Sequence, residues 1–216
     1  MTELVLVRHG QANSHATDEE SYDRLSDLGH VQAGWLGAHM QQTNPHFDRV
    51  VTGTLSRQAE TARAMGYEIT QQDARLNELS YFDLAKALED QHGILAPQGP
   101  TEFATHLPEV IDHWQQDRLG GVSETFGDFA GRVTGVIDEF ATTPGRTLLV
   151  TSGGVIGMVL RYVLALDNAG MSRVMLQTLN SSLHCVRFTH GQLMLATFNA
   201  TPHLDAPDRI HARTYV

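Results

Sequence analysis

Two short apolar runs, far apart in the chain, each end directly in a small polar turn. The first reads Leu4-Val-Leu-Val-Arg8-His9-Gly10, and the second reads Leu148-Leu-Val-Thr-Ser152-Gly-Gly154. Continuous Leu and Val runs of this length are typical of parallel strands that are buried on both faces of a sheet. Ligands of such sheets bind just beyond the carboxyl ends of the strands. The sequence therefore predicts an α/β fold in which Arg8 and His9 line a cleft.

Further strands and helices are predicted around these two segments. Residues 49–52 have the pattern of a strand, and residues 184–188 and 193–198 that of a hairpin turning at His190-Gly191. Helices are predicted over residues 26–40 and 55–65. Another is predicted from Ser123, as its N-cap, through Phe140, because apolar residues recur there at the helical period. The 216 residues are long enough for one domain with a full core.

The segment from Ser80 to Val122 interrupts this pattern. It contains helix-breaking residues at Pro97, Gly99, Pro100, Pro108, Gly120 and Gly121. We interpret the segment as loops with short helices. We expect it to form a small lobe, inserted within a single domain of residues 1–216, that covers the cleft. Lys86 and Arg118 are the few cations in it that can meet a second phosphate or carboxylate, which argues against a polyphosphorylated substrate.

Charge and composition exclude several classes of partner. The formal net charge is -10, with Lys86 as the only lysine, whereas binding to nucleic acid or to an anionic membrane requires broad basic surfaces. The apolar stretch 148–166 contains Ser152-Gly153-Gly154 and Arg161, so it is not a membrane span. Cys185 is the only cysteine and the N-terminus has no signal peptide pattern, so we expect a cytoplasmic protein.

Arg8, His9, Arg57 and Glu78 have the side chains that phosphoryl transfer requires. A neutral imidazole such as that of His9 can attack phosphorus, provided that cations hold the phosphoryl oxygens and an acid protonates the leaving oxygen. The planar guanidinium of Arg8 matches two phosphate oxygens. Arg57 lies at a predicted helix start, where backbone N–H groups and the helix dipole also favour an anion. Glu78 can protonate the leaving alcohol and then activate water.

Several motifs follow one another along the chain in a distinctive order. Arg8-His9-Gly10-Gln11 comes first, residues 25–33 read Leu-Ser-Asp-Leu-Gly-His-Val-Gln-Ala, and residues 55–62 read Leu-Ser-Arg-Gln-Ala-Glu-Thr-Ala. Together they resemble the histidine phosphatase superfamily, also called phosphoglycerate mutase-like. Its motifs are Arg-His-Gly, Leu-Thr-x-x-Gly-x-x-Gln-Ala and Leu-x-Arg-Ala-x-x-Thr-Ala. Further similarities lie at residues 76–78, 124–133, 180–181 and 199–204, so the resemblance spans nearly the whole chain.

The resemblance implies a three-layer sandwich with a mostly parallel central sheet flanked by helices. It implies a phosphomonoester hydrolase that acts on a small phosphorylated metabolite without a cofactor. In that activity His9 is the phosphorylated nucleophile, Arg8 and Arg57 clamp the phosphoryl group, and Glu78 is the proton donor. The predicted phosphate-binding residues are Arg8, Gln11, Arg57, Ser152 and Gly153.

One position departs from the pattern of that family. The family's Ser-His-Gly-Gly turn reads Thr151-Ser152-Gly153-Gly154 here, so Ser152 replaces a second pocket histidine. A hydroxyl can donate to a phosphoryl oxygen but cannot become an imidazolium, and loss of one transition-state donor typically costs about 10²–10³ in rate. Ser152 is either a phosphate contact or only a helix N-cap. A catalytically weak or silent phosphate-binding protein is therefore an alternative to the phosphatase.

A mutase and a metal-dependent enzyme have less support in the sequence. Residues 13–20 do not resemble the Asn- and Gly-Trp-containing stretch of the glycolytic mutases, so a phosphatase is preferred to a phosphoglycerate mutase-type phosphotransferase. The 12 histidines show neither a His-Glu-x-x-His motif nor Cys/His ligand spacing, so we expect no metal site.

Overall fold

The computed structural model describes residues 2–215 apart from residues 14, 15 and 17. Within this part of the chain, the strands are β1 (Thr2–Arg8), β2 (Arg49–Thr52), β3 (Gln71–Gln72), β4 (Gly145–Thr151), β5 (Leu183–Thr189) and β6 (Gln192–Ala200). The α-helices are α1 (Glu19–Tyr22), α2 (Asp27–Thr43), α3 (Ser56–Ala64), α4 (Tyr81–His92), α5 (Pro100–Gln115), α6 (Phe126–Thr142), α7 (Gly153–Leu164) and α8 (Asn168–Gln177). Single 3-10 turns lie at Ala74–Leu76, Pro202–Leu204 and Ile210–Ala212.

The strands form one sheet in the order β3-β2-β4-β1-β5-β6. β1 runs parallel to β4, and β2 runs parallel to both β4 and β3. β5 pairs antiparallel with β1, and β6 pairs antiparallel with β5 as the predicted hairpin. The carboxyl ends of β2, β4 and β1 therefore lie side by side at one edge of the sheet, with β4 in the centre. This mostly parallel sheet confirms the predicted fold class.

Helices cover both faces of the sheet, because successive side chains of each strand point to opposite sides. Leu4 and Leu6 of β1 contribute to a core that includes buried residues from α4 through α8. Val5 and Val7 contribute to a second core on the other face, with residues from α2 and α3. Two helical layers therefore enclose the sheet, as in the predicted three-layer sandwich.

The helix α6 begins later than the sequence pattern predicts. Its N-cap is Thr125, whose hydroxyl accepts a hydrogen bond from the Asp128 N–H at 3.1 Å. The prediction of Ser123 as the N-cap is therefore wrong. The Ser123 N–H donates to the Asp83 carboxylate at 2.8 Å, which ties the preceding loop to α4 and leaves the capping position to Thr125.

The segment from Ser80 to Val122 is more helical than its proline and glycine residues predict. α4 has 12 residues and α5 has 16, with Pro108 inside α5. A proline in a helix interior removes a hydrogen bond and costs about 3 kcal/mol. Leu107 and Ile111 on either side of it are buried in the core, and this burial offsets the cost. The prediction of loops with short helices is wrong for most of the segment.

The apolar stretch 148–166 divides into β4 and α7 at Ser152, as the sequence predicts. In the described part of the chain, no helix has both the length and the apolar character needed to span a membrane.

Candidate active site

His9 directly follows β1 at the carboxyl edge of the sheet, where β1 and β4 end together. Its backbone N–H donates to the Thr151 carbonyl at 2.9 Å. The next residue, Gly10, passes very close to the backbone of Gly29 in α2. A Cβ atom on Gly10 would lie 2.9 Å from the carbonyl carbon of Gly29, which real Cβ atoms do not tolerate. Glycine at both positions therefore lets α2 pack directly against the His9 loop.

The His9 ring is buried and is held in one tautomer. The residue is 2% exposed, and Nδ1 lies 2.7 Å from the Gly10 carbonyl oxygen. Because a carbonyl oxygen only accepts, Nδ1 carries the hydrogen and Nε2 has a free lone pair. Burial, together with the positive charges of Arg57 and Arg8, holds the pKa of His9 well below its usual value of 6.5. The ring is therefore neutral at neutral pH and nucleophilic at Nε2.

Arg8 lies beside His9 with one of its N–H groups unused. Its Nη1 donates to the Thr178 carbonyl. Its Nε is buried and has no hydrogen-bond partner among the described residues. Burial lowers the pKa of Arg8, whereas attraction to Tyr22 and Glu78 raises it. Since a guanidinium stays charged in proteins, this buried Nε is a cationic donor suited to an anion.

Arg57 is 1% exposed and forms an ion pair with Asp23. The Arg57 Nη1 lies 3.1 Å from the Asp23 Oδ1. The same carboxylate accepts from the backbone N–H groups of Ser56, at 2.9 Å, and Arg57, at 3.2 Å. The sequence predicted that the start of α3 offers its free amides to a substrate anion, but two of them bind Asp23 instead. The Arg57 Nε is buried without a partner among the described residues, as is that of Arg8.

Glu78 extends to the amino end of α7. Its Oε2 accepts from the Gly154 N–H at 2.9 Å, and its Oε1 accepts from the Leu79 N–H at 3.0 Å. A Cβ atom on Gly154 would lie 3.1 Å from the Glu78 carboxyl carbon and closer still to Oε1. The absence of a side chain at Gly154 is therefore what allows this contact. The carboxylate also attracts Arg8, raising the pKa of that residue against the effect of burial.

The loop that carries Glu78 is held by Arg132, which sequence reasoning did not single out. The Arg132 Nη1 donates to the carbonyls of Asn77, at 2.7 Å, and Arg75, at 2.9 Å. Its Nε lies 2.6 Å from Glu124 Oε1. The similarity to the family at residues 124–133 contains both members of this ion pair, so the motif was the available signal.

Ser152 occupies the N-cap position of α7, but its hydroxyl makes no capping hydrogen bond. The residue is fully buried, and its Oγ accepts from the Gln58 Nε2 at 2.8 Å. Gln58 is also fully buried and stands where the family motif has alanine. Ser152 was expected either to contact phosphate or to act only as a helix N-cap. Its side chain does not cap α7. A hydroxyl that accepts from Gln58 still has its own hydrogen to donate.

Gln11 and Gly153 were also predicted to bind phosphate. The Gln11 Oε1 accepts from the Ser26 hydroxyl at 2.8 Å, and its backbone N–H donates to Gln32 Oε1 at 2.8 Å. Gln11 is thus fastened to α2. Gly153 lies next to Arg8, since a Cβ atom there would be 3.5 Å from the Arg8 Nε. The structure therefore places Gly153 beside Arg8, whereas the side-chain amide oxygen of Gln11 is bonded to Ser26.

Tyr22 and Asp23 also lie at the candidate site, although the sequence did not predict them there. The Tyr22 ring lies edge-on to His9, with ring centroids 6.5 Å apart and an interplanar angle of 82°. The Arg57 Cζ lies 4.9 Å from the centre of the Tyr22 ring. The only signal was an aromatic residue in a polar segment soon after His9. The comparison of residues 13–20 with the mutases includes 14, 15 and 17, which are outside the described residues.

Two other buried histidines have structural partners. The His184 Nδ1 accepts from the Asn199 N–H at 3.3 Å, and its Nε2 lies 2.9 Å from the Ser182 hydroxyl. The His203 Nε2 lies 2.8 Å from the Ser181 hydroxyl. Over the described ranges of the chain, no group of three or more His, Cys, Asp or Glu side chains is arranged to hold a metal ion.

Comparison with known proteins identifies a family and a curated relative. The sequence profile of the histidine phosphatase superfamily (branch 1) matches residues 4–201. The chain is 24% identical over 169 residues to the broad-specificity phosphatase YOR283W of Saccharomyces cerevisiae (strain ATCC 204508 / S288c). The aligned region covers 74% of this chain and 69% of the yeast protein.

Solved structures share the fold. The phosphoglycerate mutase of Bacillus anthracis str. Sterne superposes with a TM-score of 0.68 at 20% identity, covering 94% of each chain. A phosphoserine phosphatase mutant from Entamoeba histolytica, in complex with phosphoserine, superposes with a TM-score of 0.67 at 16% identity. That match covers 94% of this chain and 100% of the other. Because the family profile spans nearly the whole sequence, including the Arg8-His9-Gly10 edge of the sheet, this chain belongs to the histidine phosphatase superfamily.

Proposed function

We propose that this protein is a phosphomonoester hydrolase that works through a phosphohistidine intermediate on His9. Family membership and the phosphatase relatives support phosphatase or phosphotransferase chemistry in general. One observation carries the more specific proposal. A buried, neutral His9 with a free Nε2 is flanked by two buried arginines, Arg8 and Arg57, whose Nε groups have no partner among the described residues.

In the first step, the His9 Nε2 lone pair attacks the phosphorus atom of the substrate. An N–P bond forms while the ester P–O bond breaks, and Glu78 in its protonated form gives its proton to the leaving alkoxide. The Nδ1 hydrogen bond to the Gly10 carbonyl stabilises the positive charge that develops on the ring. The products of this step are the free alcohol and phosphorylated His9.

In the second step, the Glu78 carboxylate removes a proton from water as the water oxygen attacks phosphorus. The N–P bond breaks, inorganic phosphate leaves, and neutral His9 is restored with Glu78 protonated again. One carboxyl group thus serves as acid and then as base. Its hydrogen bonds to the Gly154 and Leu79 amides keep it at the site through both steps.

The phosphoryl oxygens are held by Arg8 and Arg57, assisted by the Ser152 hydroxyl and the backbone of Gly153. Preorganised donors in a buried site are worth far more than in water, because they need no reorganisation when charge develops. The two arginine Nε groups supply charge-assisted hydrogen bonds of this kind. Ser152 supplies a neutral donor in place of the usual second histidine, so we expect turnover to be modest. We place the helices of residues 80–122 as a lobe over this cleft.

The test is hydrolysis of p-nitrophenyl phosphate, with chelator present, by the wild type, His9→Ala and the control His190→Ala. His190 lies in the exposed turn between β5 and β6, at the opposite end of the sheet. Intact mass after non-acidic quenching detects the phosphoryl adduct. Turnover and an adduct in the wild type and His190→Ala, but not in His9→Ala, would support the proposal.

Three results would contradict the phosphatase proposal. Turnover that survives His9→Ala would exclude His9 as the nucleophile. Phosphate binding by calorimetry with no turnover and no adduct for any phosphomonoester would favour the silent binding protein. Transfer of labelled phosphoryl groups to a second metabolite, without free phosphate, would instead indicate a mutase.

We also place the protein in the cytoplasm, where its single cysteine, Cys185, would remain reduced.

A further inference from the structure

We propose that the site selects phosphomonoesters whose alcohol portion is apolar and uncharged, and that Tyr22 and Phe82 determine this specificity. The inference rests on the proposed phosphatase function and adds the class of substrate to it. It is carried by two independent observations, the row of aromatic side chains that begins with Tyr22 beside His9 and the balance of charge around His9.

Aromatic rings from two separate elements meet beside the nucleophile. Tyr22 ends α1 and lies edge-on to His9. Phe82, in the first turn of α4, lies 6.4 Å from Tyr22 between ring centroids. Tyr81 is 6.1 Å from Phe82. We call Tyr22, Tyr81 and Phe82 the aromatic wall.

The members of the aromatic wall differ in what else they contact. The Tyr81 hydroxyl lies 2.8 Å from His106 Nδ1, and its ring lies 5.2 Å from that of Phe103, so Tyr81 is engaged by α5. Tyr22 and Phe82 are only partly buried. The ring of Tyr22, beside His9, and the ring of Phe82, beside Tyr22, can therefore still bury an apolar group of a substrate.

The charges around His9 leave room for one phosphoryl group and no second anion. Arg57 is paired with Asp23, and Arg8 is attracted to Glu78. With His9 neutral and Glu78 protonated, as the first step requires, Arg8, Arg57 and Asp23 leave one net positive charge before substrate binds. The dianionic phosphoryl group exceeds that charge and takes the two unused Nε donors, so a second anionic group on the substrate would meet no free cation among the described residues.

Among the described residues, the other cations near the site have carboxylates beside them or lie elsewhere. Lys86 pairs with Asp90 at 2.8 Å. The Arg118 carbonyl is contacted by His92, at the far end of α4 from Phe82, about 15 Å along a helix of this length. Arg24 is exposed and lines a surface cavity together with Asp18 and Glu20, so two carboxylates lie near its charge.

The experiment compares three substrates that all release an aliphatic alcohol. They are 2-phenylethyl phosphate, which is apolar, glycerol 3-phosphate, which is polar and uncharged, and 3-phosphoglycerate, which carries a carboxylate. Aryl phosphates are avoided because their leaving groups are intrinsically better. Contact of a phenyl group with the aromatic wall should raise kcat/KM about 10- to 100-fold over glycerol 3-phosphate, and 3-phosphoglycerate should be the poorest substrate.

Variants test whether the aromatic wall causes this preference. Tyr22→Ala and Phe82→Ala should each lower the ratio of kcat/KM for 2-phenylethyl phosphate over glycerol 3-phosphate about fivefold or more. Tyr22→Phe should keep the ratio, because it keeps the ring. The control Tyr162→Ala should also keep it, since Tyr162 is exposed on α7 and bonded to Asp138. A ratio cancels losses in phosphoryl binding that both substrates share.

A different experimental outcome would contradict each part of the proposal. Hydrolysis of all three substrates at similar rates, or a preference for 3-phosphoglycerate, would overturn the specificity proposal and leave the phosphatase standing. An apolar preference that Tyr22→Ala and Phe82→Ala do not reduce would overturn the role of the aromatic wall. Hydrolysis of none of the three, nor of p-nitrophenyl phosphate, would overturn the proposed function itself.

Discussion

The side-chain amide of Gln58 donates a hydrogen bond to the hydroxyl of Ser152, at 2.8 Å, deep between α3 and the end of β4. The same Nε2 donates to the Leu76 carbonyl at 3.0 Å. Gln58 stands where the motif of the family has alanine, and Ser152 stands where it has histidine. Two departures from the family pattern, about a hundred residues apart, are thus in direct contact, and the larger side chain at one matches the smaller side chain at the other.

We expect Ser152→His alone to destabilise the protein. Adding Gln58→Ala to it should restore most of the lost stability. Both positions are fully buried, and overfilling a packed site costs about 1–3 kcal/mol. Urea denaturation should show a loss of this size in Ser152→His and recovery of most of it in the double variant. The double variant should also hydrolyse phosphomonoesters faster, because an imidazole restores the second histidine of the family's turn in place of a hydroxyl. Additive effects on the free energy of unfolding would show that the two positions are not coupled.

Much of the site follows from local sequence. The ends of β1 and β4 are marked by Leu and Val runs that stop at Arg8 and Ser152, and both lie where these runs predict. Arg57 was placed correctly at the start of α3 for the same reason, a strand followed by a helix. These positions are encoded within a few residues, so a single sequence suffices to predict them.

Contacts between distant segments were not predictable in this way. Asp23 binds Arg57 and the start of α3 across 33 or 34 residues, and Gln58 reaches Ser152 across 94. Nothing in the local pattern of either partner specifies the other. The prediction for α5 was wrong for the opposite reason, because a local signal was present and misleading. Its Pro108 is a strong local signal against a helix, and tertiary burial overrides it.

Gly154→Ala should impair catalysis more than Gly153→Ala, although the two residues are adjacent in α7. A Cβ atom at Gly154 collides with the Glu78 carboxylate, whereas one at Gly153 has its nearest contact at 3.5 Å, with Arg8. Both variants keep the backbone N–H. We expect kcat to fall about 10²-fold or more in Gly154→Ala, from displacement of the proton donor, and only a few-fold in Gly153→Ala. Equal losses in steady-state kinetics would indicate that Glu78 does not carry the proton.

Arg57→Lys should lower kcat/KM about 10²- to 10³-fold although it keeps the charge. The guanidinium of Arg57 bonds Asp23 through Nη1 and retains Nε for the phosphoryl group. A single ammonium group cannot occupy both positions. Arg63→Lys, at an exposed position near the end of the same helix, is the matched control. A loss confined to KM would mean that Arg57 binds the ground state and the transition state equally.

Asp23→Asn should strengthen the binding of inorganic phosphate. The Asp23 carboxylate accepts from Arg57 and from two backbone amides, so its negative charge opposes an incoming anion. The amide oxygen of asparagine keeps one acceptor and removes the charge. Competitive inhibition by phosphate should tighten about 3- to 10-fold, a shift of about 1 kcal/mol that is typical for a partly exposed charge. Weaker inhibition would show that Asp23 chiefly positions Arg57.

Stability should fall in mild acid because several histidines are buried in the neutral form. Burial lowers the pKa of His184 to about 3 and that of His203 to about 3, and it also lowers the pKa of His9 and His106. The unfolded chain binds protons at these groups near the usual value of about 6.5. The contribution of these neutral histidines to the free energy of unfolding is therefore complete above that pH. It is lost as pH falls toward the folded-state pKa.

His203→Gln should remove one part of this pH dependence. Between about pH 7.5 and 5, each histidine with a folded pKa near 3 costs about 2 kcal/mol of unfolding free energy. The variant loses the proton-binding group and retains a side chain able to bond the Ser181 hydroxyl. Urea titrations should therefore show that the unfolding free energy of the variant falls less between about pH 7.5 and 5 than that of the wild type, by about 2 kcal/mol. The exposed His190→Gln should leave the drop unchanged, and an equal drop in all three proteins would show that His203 is protonated in the folded state.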